Sequence, residues 1–450
     1  MGFDTLLCLR AGLPPQSDAW SKLPPRPSTP QVRGETPEPT GQVGADPETY
    51  PLEKIDPADG ELFAANEHHE YFARLRRDDP VHYTAESHFG AYWSITKFDD
   101  IVTVEKDPET YSSARAITVS DPLPDSPMAS SFISMDGTTQ LAHRKTVAPA
   151  MGPRNLKRLE PLIRDRVIQI LDGLPVGEDF DWVDRVSVEL TTSLLATLFD
   201  FPYEEQRKLT YWSDVTTTQP NLPGPDSLSH EERHRVLVEC LDHFQGLWKE
   251  RQGKGRTGDF VSLLADGEAT QGMDPRTFLA TLVLLIVGGN DTTRNSISGG
   301  VLALNEHPAE YEKLRNDPTL IENMVSEMIR WQTPLAHMRR TCTQDTILAG
   351  REIKAGDKIA MWYVSGNRDE DAIDRAGEFL IDRPDARKHL SFGWGRHFCV
   401  GSRVAELQVR VLWEELMKRY RWVEVVGDPV RTRSSFVHGY LEMPVRLHAL

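Results

Sequence analysis

Cysteine is scarce in this chain of 450 residues. The four cysteines lie far apart and form none of the paired spacings that bind zinc or build a disulfide framework; they are Cys8, Cys240, Cys342 and Cys399. This distribution excludes a small secreted fold held together by disulfides. Isolated cysteines are typical of a reducing compartment, and we therefore expect a cytoplasmic protein.

Long apolar runs and an excess of positive charge are also missing. A transmembrane helix needs about 20 consecutive apolar residues, whereas the longest apolar run, Phe278 to Val287, fits a buried helix. The chain has 51 lysines and arginines against 68 aspartates and glutamates, which gives a net charge of −17. Nucleic acid and anionic membranes attract basic surfaces, so neither is expected as the main partner.

The chain divides into an N-terminal arm and one long folded region. Residues 1–50 carry nine prolines and few apolar residues after the first dozen, which predicts a disordered, proline-rich arm. Within residues 51–450, helical periodicity dominates from Asn155 to His307, and short strand patterns occur at Val81 to Val104 and Thr341 to Trp362. The sequence therefore predicts a mainly α protein with small β-sheets, an α+β class, built as a single large domain.

The strongest motif is Phe-Gly-Trp-Gly-Arg-His-Phe-Cys-Val-Gly at positions 392–401. Glycines let backbone N–H groups approach a sulfur atom closely. Val404, Leu407 and Val411 follow at helical spacing and predict a helix just after Cys399, whose positive end lowers the pKa of the thiol. A thiolate held in this way suits the ligation of haem iron. A buried cysteine in a glycine-rich turn is the alternative, and the ten-residue pattern argues against it.

This motif resembles the cysteine loop of the cytochrome P450 family. The resemblance covers every defining position of that loop: Phe392, Gly393, Gly395, His397, Cys399 and Gly401. It implies the fold of that family and haem b, iron protoporphyrin IX, as the cofactor. It also implies that Cys399 is the metal ligand, that Phe392 and Gly401 contact the cofactor, and that His397 contacts a haem propionate.

A second motif lies inside the predicted long helix. Asp274 and Pro275 supply an N-cap and a proline at the first helical position. Two adjacent glycines, beginning with Gly288, cost about 1 kcal/mol each inside a helix, and a closely approaching cofactor would compensate. Asp291 and Thr292 follow, an acid and an alcohol that can relay protons. A plain helix kink is the alternative. Beside the cysteine loop, the run resembles the oxygen-activating helix of the family, which implies catalytic roles for Asp291 and Thr292.

Two further groups of residues match supporting features of the family. Glu327 and Arg330 lie three positions apart on a predicted helix and resemble the Glu-x-x-Arg motif, with Arg383 as the third member of a structural ion network. An exposed pair at this spacing would contribute only tenths of a kcal/mol. We therefore expect this network to support the cysteine loop and not to act in catalysis.

Cationic donors are expected at the haem edge because the cofactor carries two propionates. The resemblance places Gln140, Arg144 and Arg340 at propionate-binding positions. Many relatives have histidine where this chain has Gln140, and an amide can still donate a hydrogen bond. Each arginine, taken alone, is more typical of a solvated surface charge.

The basic residues are unevenly distributed. Between Arg144 and Arg166 there are seven lysines and arginines against two acids, and four cations flank Cys399: Arg387, Lys388, Arg396 and Arg403. A basic face near the cysteine suits docking of an acidic electron donor. Family resemblance implies a separate [2Fe–2S] ferredoxin with its reductase. Ordinary scatter of surface charge is the alternative.

Substrate class follows from a narrower resemblance. The runs at 287–298 and 330–340 look like the soluble bacterial group that hydroxylates alkanes and fatty acids at the terminal carbon. Four residues match pocket positions: Leu284, Val287, Leu335 and Phe436. We therefore expect O2-dependent terminal (omega) hydroxylation of a medium-chain alkane or fatty acid. The alternatives are a hydroxylase of a terpenoid, steroid or other cyclic substrate, or a haem-binding protein without turnover.

Overall fold

Helices account for most of the residues that the computed structural model describes, namely 41–114, 116–121, 130–217, 228–255 and 258–450. Within these ranges the α-helices are α1 (Gly60–Ala64), α2 (His68–Asp78), α3 (Phe98–Lys106), α4 (Gly137–Val147), α5 (Pro153–Asp172), α6 (Glu189–Phe199), α7 (Arg207–Thr217), α8 (His230–Arg251), α9 (Phe260–Ala265), α10 (Pro275–Glu306), α11 (Pro308–Asn316), α12 (Ile321–Gln332), α13 (Tyr363–Gly366) and α14 (Ser402–Arg419). The predicted mainly helical class is confirmed. In these same ranges, no helix combines the length and apolarity needed to cross a bilayer.

The strands form small sheets at the edges of the helical body. They are β1 (Val81–Thr84), β2 (Tyr92–Ile95), β3 (Tyr111–Ser112), β4 (Asp179–Asp181), β5 (Met338–Cys342), β6 (Thr346–Leu348), β7 (Arg351–Ile353), β8 (Lys358–Met361), β9 (Tyr420–Val425), β10 (Val430–Arg431), β11 (Tyr440–Glu442) and β12 (Pro444–Ala449). The largest sheet has the order β1-β2-β8-β5-β3, and a second has the order β4-β12-β9. In the large sheet β2 and β8 run parallel, with Trp93 opposite Ile359.

The long helix α10 forms the centre of the fold. The side chain of Asp274 accepts hydrogen bonds from the backbone N–H groups of Arg276 at 2.9 Å and Thr277 at 3.1 Å, so the predicted start of this helix is confirmed. Its 32 residues extend about 48 Å. It packs against α6, α7, α8, α12 and α14, and most of its side chains are buried. Residues on α10 can therefore reach both the core and the surface helix α7.

Helix α14 begins directly after the cysteine loop. Val404, Leu407 and Val411 are buried on its inner face, as their helical spacing predicts. This face packs against α5, α10 and α12. The cysteine loop is therefore attached to one of the most heavily packed helices of the fold.

Two sequence-based expectations are corrected by the fold. The strand pattern at Val81 to Val104 extends too far, because α3 follows β2 and buries Phe98, Ile101 and Glu105 on one helical face. The arm predicted over residues 1–50 falls mostly on residues 1–40, outside the described residues. However, Gln42 is buried, and its side chain bonds to the backbone of Asp56 through both its oxygen and its nitrogen. Folded structure therefore begins before residue 51.

Candidate active site

The cysteine loop is held in a conformation that requires glycine at two positions. Gly393 and Gly395 have φ angles of +68° and +63°, a region that side chains disfavour. A Cβ at Gly395 would also lie 2.7 Å from the carbonyl oxygen of Glu105. The backbone N–H of Cys399 donates to the carbonyl of Phe392 at 2.8 Å. These contacts close the loop and fix the position of the cysteine.

The thiol of Cys399 is influenced by one positive charge and by backbone N–H groups. Burial raises its pKa, and this effect is opposed by the backbone N–H groups of Gly401 and Ser402 and by the charge of Arg144. A Cβ at Gly401 would lie 3.9 Å from the cysteine sulfur. The surroundings therefore supply N–H donors for a thiolate, and metal binding favours that deprotonated form.

A cavity of about 560 Å³ separates the cysteine loop from α10. Cys399 lines it from one side and Thr292 from the other. Predicted cofactor residues that also line it are Arg144, Gly288, Arg340, Phe392, His397 and Gly401. All four residues predicted for the substrate pocket line it as well: Leu284, Val287, Leu335 and Phe436. The fold thus brings together site residues from distant parts of the chain.

One edge of this cavity is cationic. Arg144 and Arg340 line it together with His397, whose Nε2 lies 3.1 Å from the hydroxyl of Ser113. Burial, followed by the charges of Arg340 and Arg144, lowers the pKa of His397 to about 3. The imidazole is therefore neutral, and the two guanidinium groups provide the positive charge for an anionic ligand.

The residues present fit a haem. Its iron can take a thiolate ligand, which Cys399 would supply, and its propionates would be held by the guanidinium groups of Arg144 and Arg340. Its flat macrocycle needs room beside α10. A Cβ built at Gly288 would meet no atom within 4 Å, so the helix leaves open space where the cofactor would lie.

Gln140 is the predicted cofactor residue that the structure places differently. It lies one helical turn before Arg144 on α4 and is fully buried, but it is not among the residues that line the cavity. Its side-chain oxygen and nitrogen have no hydrogen-bond partner among the described residues. A buried, unpaired amide costs about 1–3 kcal/mol. A contact between Gln140 and a propionate therefore remains a prediction.

The acid and the alcohol on α10 face different surroundings. Thr292 lines the cavity, and its hydroxyl donates to the carbonyl of Gly288 at 2.8 Å. Asp291 is buried behind the cavity wall, where its Oδ1 accepts from the hydroxyl of Ser213 at 3.0 Å and from Arg294 at 3.1 Å. Its Oδ2 has no hydrogen-bond partner in the part of the chain that the structure describes.

Asp291 is connected to the surface by charged neighbours. Burial raises the pKa of its carboxyl group, while the charge of Arg294 opposes this and that of Asp214 adds to it. Arg294 also donates to Asp214 at 3.1 Å, and the side chain of Asp214 is 44% exposed. A continuous polar path therefore leads from solvent at α7 to the residue beside Thr292.

The predicted ion network is assembled behind the cysteine loop. Glu327 accepts from Arg330 through both carboxylate oxygens at 2.7 Å and from Arg383 at 3.0 Å. All three side chains are at most 4% exposed. Arg330 also donates to the carbonyl groups of Asn367, Ala376 and Glu378. The network joins α12 to the segment that precedes the cysteine loop.

Several residues of the site were not identified from the sequence. Ser213, Asn290 and Arg294 donate hydrogen bonds to Asp291. Tyr363 lines the cavity. Glu105 forms a buried ion pair with Arg340. Of these residues, Glu105 could have been identified from the sequence, because it is an acid at helical spacing from Phe98 and Ile101 on an otherwise apolar face.

Comparisons with known proteins agree with this site. The Cytochrome P450 family profile matches residues 65–444. The structure of CYP153D17 from Sphingomonas sp. PAMC 26605 has a TM-score of 0.82 and 46% identity, covering 88% of this chain and 100% of that chain. Linalool 8-monooxygenase from Pseudomonas putida is 34% identical over 88% of this chain and 99% of its own length. Methyl-branched lipid omega-hydroxylase from Mycobacterium bovis is 30% identical over 83% of this chain and 90% of its own length.

The fold and the cavity define a haem enzyme with a cysteine ligand. The chain belongs to the cytochrome P450 family, as its cysteine loop predicts. It is a monooxygenase with haem b as its cofactor, and its reaction uses O2, a substrate and a redox partner. The predicted family, fold, enzyme class and cofactor are confirmed.

Replacing Glu327 by alanine should destabilise the holoenzyme. The change leaves two buried guanidinium groups without their carboxylate, which costs about 3–5 kcal/mol. Glu322→Ala is the matched control on the same helix, because Glu322 pairs with Arg387 where both side chains are at least 70% exposed, and it should cost less than about 1 kcal/mol. For both variants, the free energy of unfolding is measured in denaturant, and the fraction of haem that the purified protein retains is measured from its spectrum. Equal effects of the two variants would contradict a supporting role for the network.

Proposed function

We propose that this monooxygenase hydroxylates the terminal carbon of a medium-chain alkane or fatty acid. The observation that carries the proposal is the apolar lining of the cavity opposite Cys399. Leu284 and Val287 come from α10, while Leu335 and Phe436 come from two segments joined by a hydrogen bond between Ala336 N–H and the Phe436 carbonyl at 2.9 Å. An aliphatic chain in this space would meet mainly hydrocarbon, and burial of its CH2 groups would drive binding at about 0.8 kcal/mol each.

The named relatives support the same reaction type. One is an omega-hydroxylase of methyl-branched lipids, and another acts at position 8 of linalool, an open-chain terpenoid alcohol. The first name thus describes hydroxylation at the omega position of a lipid, and the second describes oxygen insertion at one carbon of linalool. The second relative also favours an open-chain terpenoid as the competing substrate class for this protein.

Different residues of the chain have separate roles in cofactor binding and substrate positioning. Bound haem supplies dioxygen binding and oxygen-atom transfer to the substrate. Cys399 would hold the cofactor through its thiolate, while Arg144, Arg340 and His397 would orient its propionates. The apolar lining positions the substrate and excludes water from the reacting end of the cavity.

Proton supply is assigned to the residues around Asp291. Thr292 presents a hydroxyl to the cavity, and its oxygen can accept a proton from behind while donating the one it carries. Rotation of the Asp291 carboxyl group would exchange its bond with Arg294 for one directed at the cavity. Before that rotation, Asp214 and Arg294 link the carboxyl group to solvent. The raised pKa of Asp291 favours transient protonation during turnover.

Electrons are proposed to arrive from a separate, acidic [2Fe–2S] ferredoxin with its own reductase. Lys145, Arg154 and Arg403 are exposed. Arg154 and Arg403 lie near the cysteine loop because α5 and α14 pack side by side, and Lys145 follows Arg144, which donates to the carbonyl of Phe398 in the loop. Trp394 and Phe398 in the loop itself are 36% and 42% exposed. A basic rim around exposed aromatic side chains suits steering by charge and close contact with such a donor. A cytoplasmic location remains part of the proposal, because the isolated spacing of the cysteines is typical of a reducing compartment.

A panel of ligands titrated against the haem spectrum tests the substrate class. Dodecane and dodecanoic acid should displace water from the iron and shift its spin state, because their chains fill the apolar cavity. Linalool represents the open-chain terpenoids, and camphor and testosterone represent cyclic compounds. Mass spectrometry of the products should then show a hydroxyl group at the terminal carbon. A spin shift with camphor or testosterone, and none with the linear chains, would overturn the proposed substrate.

Replacing Thr292 by alanine tests the proton route. Product formation should fall on the order of 10²-fold, the low end of the contribution of a positioned proton donor, while electron consumption continues. Thr281→Ala is the matched control, because Thr281 lies on the same helix and also donates to the carbonyl four residues earlier, at 2.9 Å, but it does not line the cavity. The ratio of product to NAD(P)H consumed is the measurement. An unchanged ratio in Thr292→Ala would remove Thr292 from the route.

A further inference from the structure

Glu105 is a buried acid on the inner face of α3. Its side chain is 1% exposed and faces the side chain of Arg340, which is 4% exposed, with 2.6 Å between Glu105 Oε2 and Arg340 Nη2. The other carboxylate oxygen accepts a hydrogen bond from the hydroxyl group of Tyr363. A carboxylate is rarely buried unless such partners compensate it, so its position next to the cavity wall requires an explanation.

The two partners of Glu105 both belong to the cofactor site. Arg340 and Tyr363 line the cavity, whereas Glu105 lies behind them and does not line it. Burial opposes the charge of Arg340, but the carboxylate of Glu105 and the phenol of Tyr363 outweigh it and raise the pKa of the guanidinium group. Burial and the charge of Glu105 raise the pKa of Tyr363. The tyrosine therefore stays a phenol that donates to the carboxylate.

The backbone of Glu105 contacts the cysteine loop as well. Its carbonyl oxygen occupies the space that a side chain at position 395 would need, and α3 packs against the turn at Gly395–His397. A Cβ at Gly393 would lie 3.6 Å from Glu105 Oε1. One residue thus contacts both the arginine at the cavity edge and the loop that carries Cys399.

We propose that Glu105 is a positioning residue that fixes Arg340 at the haem edge and lowers the reduction potential of the iron. A negative charge in a region of low dielectric stabilises the more positive ferric state. The positive charge of Arg340 by itself favours the ferrous state, and the carboxylate of Glu105 partly cancels that effect. Charges and hydrogen bonds around a haem set its potential in this way. The proposal rests on the haem site and is independent of the substrate.

The test is the midpoint potential of the substrate-free holoenzyme, measured by spectroelectrochemistry. Glu105→Gln keeps the size of the side chain but removes its charge, and the potential should shift upward. Glu105→Asp keeps the charge and Tyr363→Phe removes only a hydrogen bond, so both should shift it much less. A Glu105→Gln potential equal to that of the unmodified protein, or a shift no larger than in Tyr363→Phe, would overturn the proposal.

A second comparison covers the case in which Glu105→Gln loses its haem because Arg340 is left buried without a counter-charge. The double variant Glu105→Gln/Arg340→Gln removes both charges and is compared with Arg340→Gln alone. Because the double variant lacks the negative charge of Glu105, its midpoint potential should be higher than that of Arg340→Gln. Because burial without Arg340 favours the protonated form of Glu105, both potentials are measured as a function of pH. Equal potentials of the two proteins up to the alkaline end of that range would show that Glu105 acts only on folding, and the proposal would fail.

Discussion

The fixed position of the Cys399 sulfur in the cavity wall, where we propose that it binds the haem iron, is the constraint on which the rest of this structure depends. The sulfur must point into the cavity from a loop that cannot relax around it. Left-handed glycines at 393 and 395 give the loop its shape, the carbonyl of Glu105 occupies the space beside Gly395, and α14 anchors the following residues. Behind the loop, the buried network around Glu327 holds the preceding segment to α12.

The opposite wall of the cavity is formed by α10. This helix has to stay regular while it leaves space for a cofactor on its cavity side. Gly288 leaves space on the cavity side, where Thr292 provides a hydroxyl. Asp291 points the other way, into a buried polar group that continues to solvent through Arg294 and Asp214. The polar groups that we propose for proton supply are thus kept behind the wall, while the proposed substrate space stays mainly apolar.

Sequence alone was sufficient where a function is encoded in consecutive residues. The cysteine loop and the start of α10 at Asp274 were predicted because their patterns are local. Contacts between distant segments were not, since the pairing of Ser213 with Asp291 depends on how α7 packs on α10. Glu105 was missed for a related reason: reading Val81 to Val104 as strands hid the helical face on which this acid replaces an apolar residue. The burial of Gln42 likewise depends on Asp56, fourteen positions later.

The central claim is that Cys399 binds haem iron as a thiolate. The most direct measurement is the absorption spectrum of the reduced carbon monoxide complex of the purified holoenzyme, recorded beside Cys399→His, which offers the iron a nitrogen ligand instead. The account predicts a thiolate-type Soret band for the unmodified protein and its replacement by a histidine-type band in the variant. A histidine-type band in the unmodified protein, or a thiolate-type band that survives in Cys399→His, would contradict it.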